Sequence, residues 1–122
     1  MRRFINCSNH KSDLWGEDQK RAAERYGDIV DFPFPNVVVS AEAGDIANLA
    51  AQTVQNILQK QPDVVMCQGE YTLTYAIVKA LREKQIPVVA ACTERKVIEK
   101  QLEDGSVQKV SRFQFAGFRQ YV

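Results

Sequence analysis

Four short apolar runs, each closed by small polar residues and separated by stretches with helical spacing, constrain this chain more than anything else in it. The runs are Arg3-Phe4-Ile5-Asn6-Cys7, Asp28-Ile29-Val30-Asp31-Phe32, Val64-Val65-Met66-Cys67 and Ile86-Pro87-Val88-Val89-Ala90-Ala91-Cys92. Each is too short for a helix and the right length for a strand. Val64 to Cys67 is apolar without interruption, the pattern of a central parallel strand covered on both faces. The second run ends at Pro33-Phe34-Pro35, and because proline cannot donate to a ladder, that run belongs near an edge.

The intervening stretches read as helices. Ser12 or Asp13 opens one that reaches about Tyr26, with Glu17 and Asp18 early and Lys20, Arg21 and Arg25 late, complementing the helix dipole. Ile46, Leu49, Ala50, Val54, Ile57 and Leu58 form one apolar stripe over 42–60. Leu73, Ala76, Ile77, Ala80 and Leu81 form another over 71–84. Strands joined through helices pair in parallel by right-handed crossovers. The prediction is therefore an α/β fold, a small doubly wound parallel sheet in the order 2-1-3-4, in one domain spanning 1–122. Residues 95–122 form an extension of that domain: Asp104-Gly105 between β-rich flanks predicts a C-terminal β-hairpin with a tight I′ turn. Gly117 interrupts the alternation of Phe113, Phe115 and Phe118 and marks a bulge or bend.

Composition narrows the function. A chain of 122 residues is long enough for a core without disulfides or metal. The net charge of +1 gives no global attraction to polyanions, so long duplex nucleic acid is not an expected partner. No stretch reaches the length of a signal-peptide core or a membrane span, so a cytoplasmic location without membrane contact is expected. Cys7, Cys67 and Cys92 are an odd set without CxxC spacing, which signals neither a disulfide framework nor a zinc site. GxGxxG, Walker, HExxH and GxSxG motifs are all missing, and no metal or cofactor is expected.

In the order 2-1-3-4 the first and third strands are neighbours whose following helices pack on opposite faces, which opens a crevice at their carboxyl ends. Three polar tips meet there: Ser8-Asn9-His10-Lys11, Gln68-Gly69-Glu70-Tyr71-Thr72 and Thr93-Glu94-Arg95. Ser8, Lys11, Thr72, Thr93 and Arg95, with the backbone amides opening the third helix, suit a phosphate or another anion. Gly69 lets that backbone approach closely. Asn9, Gln68 and Glu70 can read hydrogen-bonding edges, and Tyr71 can stack on a base. His10, the sole histidine, suits acid/base work or a ligand contact. Each also has a structural alternative: a loop role for His10, a first-turn charge for Glu70, a turn for Gly69, pairing with Glu94 or the hairpin for Arg95, and local backbone bonds for Thr72 and Thr93. Trp15 reads as a packing anchor.

The Ser8-Asn9-His10 tip, the Gln68-Gly69-Glu70-x-Thr72 turn and Ala91-Cys92-Thr93-Glu94-Arg95 before a terminal hairpin resemble the small CRISPR-associated Rossmann-fold proteins, in particular the stand-alone ring nucleases of type III systems. The resemblance implies a Rossmann-like fold and a homodimer that binds cyclic oligoadenylate, cyclic tetra-adenylate first, across its two-fold axis. It also implies metal-independent cleavage, in which a ribose 2′-hydroxyl is set in line with its neighbouring phosphate to give a cyclic phosphate. On that reading His10, Glu70 and Arg95 are catalytic, and Ser8, Asn9, Lys11, Gln68, Gly69, Tyr71, Thr72 and Thr93 bind the ligand. The Phe-rich hairpin has no assigned counterpart in that resemblance and suits a dimer arm or a lid. Two other classes remain open: a non-catalytic sensor of a nucleotide or small anion, and an assembly subunit with a vestigial crevice.

Overall fold

The computed structural model describes all 122 residues. In chain order the elements are β1 (Arg3–Ser8), a 3-10 turn (Ser12–Leu14), α1 (Glu17–Glu24), β2 (Asp28–Pro33), α2 (Ala43–Leu58), β3 (Val64–Cys67), α3 (Tyr71–Glu83), β4 (Val88–Gln101) and β5 (Val107–Gln120). They build a five-stranded sheet in the order β2-β1-β3-β4-β5. The first four strands run parallel, and β5 lies antiparallel to β4.

Burial follows that order. Phe4 to Ser8 of β1 and all of β3 are buried, as strands flanked on both sides must be, whereas the edge strand β2 buries no residue completely. The two faces of the sheet have separate cores. On one, Ile5, Cys7, Val65 and Cys67 pack against Ala50, Val54 and Ile57 of α2 and Leu73, Ile77 and Leu81 of α3. On the other, Phe4, Val64, Met66 and Val89 pack against Trp15 and Ala23, with Phe118 at the margin. Helices thus cover both faces, and α1 stands alone on the second. Each fully buried Ile, Leu or Phe contributes about 1.5–3 kcal/mol, so the sheet centre holds the two layers together. No helix is long and apolar enough to cross a membrane.

The structure departs from the expected elements in three places. The helix expected from Ser12 to Tyr26 is split: a 3-10 turn ends at Leu14, Trp15 is extended, and α1 starts after Gly16. The cause lies in Asp31, whose carboxylate takes the Ser12 amide at 3.1 Å and the Ser12 hydroxyl at 3.0 Å, so Ser12 is tied to β2 rather than to a helix start. Secondly, the fourth strand does not stop at Cys92. It continues to Gln101 and is itself the first strand of the hairpin, paired with β5 from Val89↔Gln120 to Gln101↔Val107. Cys92 pairs with Gly117 and Thr93 with Phe115, which leaves Ala116 as the extra residue of a bulge. Thirdly, the hairpin turn is not I′. The Gly105 amide bonds the Leu102 carbonyl at 3.0 Å, so Glu103 and Asp104 are the central residues, and only Gly105 takes positive φ, at 85°. Asp104 caps this turn by accepting from the Ser106 amide at 2.9 Å.

Candidate functional site

The site is built on the loop that leaves β1. Asn6, only 2% exposed within the strand, donates from Nδ2 to the His10 carbonyl at 2.8 Å and to Asp31 Oδ1 at 2.9 Å. Its Oδ1 accepts the Ser8 hydroxyl at 2.7 Å, and Ser8 Oγ in turn accepts the His10 amide at 3.3 Å. These bonds curl residues 8–10 back over the strand end and fix the backbone of His10, whose side chain is left exposed. A buried amide spends its hydrogen-bonding capacity on such a loop because leaving it unpaired costs about 1–3 kcal/mol.

The second wall is the tip of β3. The backbone amide of Gln68 donates to the Cys7 carbonyl at 3.1 Å, and its side-chain Oε1 accepts the Ala91 amide, which ties the β3 tip to β4. Gly69 sits against the ring of Phe34, where a Cβ would meet ring carbons at 2.5–2.6 Å. Close approach, rather than an unusual dihedral, demands glycine there. Tyr121 donates its hydroxyl to the Cys67 carbonyl at 2.8 Å, and burial raises its pKa. Cys67 lies in register with Cys7, and hydrogen bonding to Cys7 together with burial pushes its thiol far up, so it stays protonated and is no nucleophile.

Between these tips, the N-terminus of α1 and the hairpin lies a cleft of ≈ 810 Å³. That size is ordinary for a small-ligand site. Ser8, Asn9, His10, Gln68, Gly69 and Thr93 all line it, so the β1 and β3 tips meet there, and the expected third tip contributes only Thr93, which lies within the continuing β4 rather than at its end. Ser8 is 8% exposed and acts mainly through the loop it holds.

Five expected residues lie outside the lining. Glu70 is the N-cap of α3: its carboxylate accepts the Leu73 amide at 2.8 Å and the Thr72 hydroxyl, and these bonds, Thr72 first, lower its pKa. Glu70 and Thr72 therefore satisfy each other, and the Leu73 amide at this helix start is already taken by a carboxylate. Arg95 points across the hairpin, donating from Nη2 and Nε to Ser111 Oγ at 3.0 and 3.3 Å. Lys11 and Tyr71 stand in solvent, Tyr71 at 90% exposure.

The cleft also contains residues that the strand tips alone do not announce. Trp15, Gly16, Glu17, Asp18 and Gln19 bring the start of α1 to it, and Phe113, Gln114 and Phe115 bring the hairpin. Gly16 caps α1 without a side-chain bond, so the first amides of this helix are the unfilled donors at the cleft. Glu17 and Asp18 set two carboxylates beside them. One signal for α1 was present in the sequence, since acidic residues cluster at helix starts, but the break at Trp15 that aims this end into the cleft depends on Asp31 across the sheet.

Comparison with curated proteins and with solved structures finds no match in either. A family model does match, over residues 2–119, and so covers both walls of the cleft and the whole sheet except the last residue of β5. The chain belongs to the family described as Uncharacterized protein MJ1673 family.

Proposed function

We propose that this protein is a cytoplasmic, homodimeric, metal-independent ring nuclease that binds cyclic oligoadenylate in the cleft and cleaves it, on a Rossmann-like doubly wound fold. The observation that carries the reading is the meeting of the only histidine with the β3 tip and Thr93 of β4 in one cleft bordered by unfilled helix amides. A ring of adenosines offers phosphates to amides, ribose hydroxyls to carboxylates and base faces to aromatic rings, and the lining holds each kind of partner.

The α1 amides and Thr93 hold a phosphodiester, while Glu17 or Asp18 accepts from a ribose hydroxyl. Set in line, the 2′-hydroxyl gives its proton to that carboxylate as its oxygen attacks the adjacent phosphorus, the bond to the 5′-oxygen breaks, and a 2′,3′-cyclic phosphate forms. His10 donates the proton that the leaving 5′-oxygen takes up. Asn9 and the free Nε2 of Gln68 address base edges, and Phe113 and Phe115 offer ring faces to adenine. Positioning and charge stabilisation supply most of the rate in such a scheme. Glu70 supports the site as the cap of α3, while Arg95, bonded to Ser111, and Lys11, in solvent, have no part in the step.

The deciding experiment incubates the purified protein with cyclic tetra-adenylate and cyclic hexa-adenylate in EDTA and resolves the products. Linear products ending in a cyclic phosphate support the nuclease. Tight binding without turnover makes the cleft a sensor, and no binding of either ring removes the nucleotide reading. In the nuclease case, His10→Ala slows cleavage by about 100-fold or more while the binding constant stays within about threefold.

A further inference from the structure

The distal half of the hairpin is a two-stranded ribbon with nothing against it. β3 makes its last pair with β4 at Met66↔Val89, and the Ala91 amide is taken by Gln68. From Thr93 to Gln101, about 30 Å of strand, β4 is paired only with β5. Nearly every side chain there is exposed, including Val97 at 56%. Isolated two-stranded ribbons are marginal in water, and a long open edge invites another strand.

The charges along this edge say which strand fits. Since the Ala91 amide faces the open side, alternation sends the amides and carbonyls of Thr93, Arg95, Val97, Glu99 and Gln101 to the same side. Only odd-numbered residues can then face odd-numbered residues, so a two-fold axis relating two copies must pass through a residue. An axis through Val97 sets Arg95 opposite Glu99 and Glu94 opposite Lys100, each pair occurring twice, with Lys96 opposite Ile98 and Val97 on itself. Every other axis between Glu94 and Lys100 brings like charges together. Axes at Glu94, Arg95, Lys96, Glu99 or Lys100 stack that residue on its own copy, and one at Ile98 sets Lys96 against Lys100. The other two open edges lack this property. β2 carries Asp28, Asp31 and Pro33, and β5 carries Lys109, Arg112 and Arg119 with no carboxylate.

We propose that the free edge of β4 pairs antiparallel with the same edge of a second copy, about a two-fold axis through Val97, so that two five-stranded sheets join into one of ten strands. The occupant is a second copy because the edge is complementary to itself in charge and in backbone direction, the requirement of an isologous interface. The axis is normal to the sheet, so both clefts open on the same side. The partner's Gln101 comes opposite Thr93, at the lip of the cleft. This pairing stands whether or not the cleft cleaves a ring.

Sedimentation velocity on the full chain over a range of concentrations tests it. The wild type is expected to dimerise. Arg95→Glu and Glu99→Arg, each made alone, place like charges opposite one another at two symmetric points and weaken association by about tenfold or more. The double variant restores association to within about threefold of wild type. Should Arg95→Glu fail to fold by circular dichroism, the exchange of Glu94→Lys with Lys100→Glu gives the same reading. A wild-type chain that stays monomeric, single reversals that leave the dimer unchanged, or double variants as weak as the singles would each overturn the proposal.

Discussion

Asn6 and Glu70 exchange the ranks that their side chains alone suggest. Glu70, a carboxylate at a strand tip, has the profile of a reactive group, yet it is consumed by the Thr72 hydroxyl and the Leu73 amide. Its pKa is lowered because those donors favour the charged form. The stabilisation is therefore fully present above the unfolded-state value and is lost as pH falls through the lower folded-state value. Glu70→Ala is expected to lower the thermal midpoint at neutral pH, with the gap from wild type closing in the acid range, as melts at stepped pH would show. Asn6, a polar interruption in an apolar run, holds the His10 carbonyl, Ser8 and Asp31 at once. Asn6→Ala strands those partners, and chemical denaturation should record a loss of about 1–3 kcal/mol. On the proposed reading, ring cleavage should fall with it, because the loop carrying His10 loses its anchor. The identity of these residues was legible in the sequence, but their partners were not. Asp31 comes from another strand, and the curl that returns the nearby His10 carbonyl to Asn6 follows no periodicity.

At the level of elements, the tip of β3 depends on contact with a residue that follows β2. Phe34 is 8% exposed and lies over Gly69, so a methyl group at position 69 must displace a buried ring. Gly69→Ala should cost about 1–3 kcal/mol by denaturant titration, and less in a Phe34→Leu background, where the ring is absent. β1, β2 and β3 were readable because each is a short apolar run with a polar or proline stop, and α2 and α3 because their stripes hold the helical period. The extent of α1 was not readable, since Asp31 removes Ser12 from the helix. The continuation of β4 past Cys92 was hidden for a different reason. Thr93 to Lys96 is polar, and an exposed ribbon has no buried face to impose alternation.

Over the whole molecule, stability is distributed unevenly. Both apolar cores lie on β1, β3 and the proximal part of β4, whereas the distal hairpin has only its own ladder. Amide exchange followed at low protein concentration should be slowest in β1, β3 and the buried faces of α2 and α3, and fastest over residues 94–112. If β4 pairs between copies, exchange at Arg95, Val97 and Glu99 slows as concentration rises while the core amides do not change. The sequence by itself determined the parallel α/β sheet, the order β2-β1-β3-β4 and the meeting of the β1 and β3 tips, because short apolar runs joined through helices admit few topologies. Only the tertiary structure decided which side chains at those tips are free to meet a ligand. The Asn6–Asp31 bond and the Phe34 ring against Gly69 join residues far apart in the chain, and no local pattern encodes them, whereas the Glu70 cap is a local bond whose formation the sequence left open beside a ligand role. Those side chains' roles were therefore set by the bonds of Asp31 from β2 and by the start of α1 and the hairpin that close the cleft.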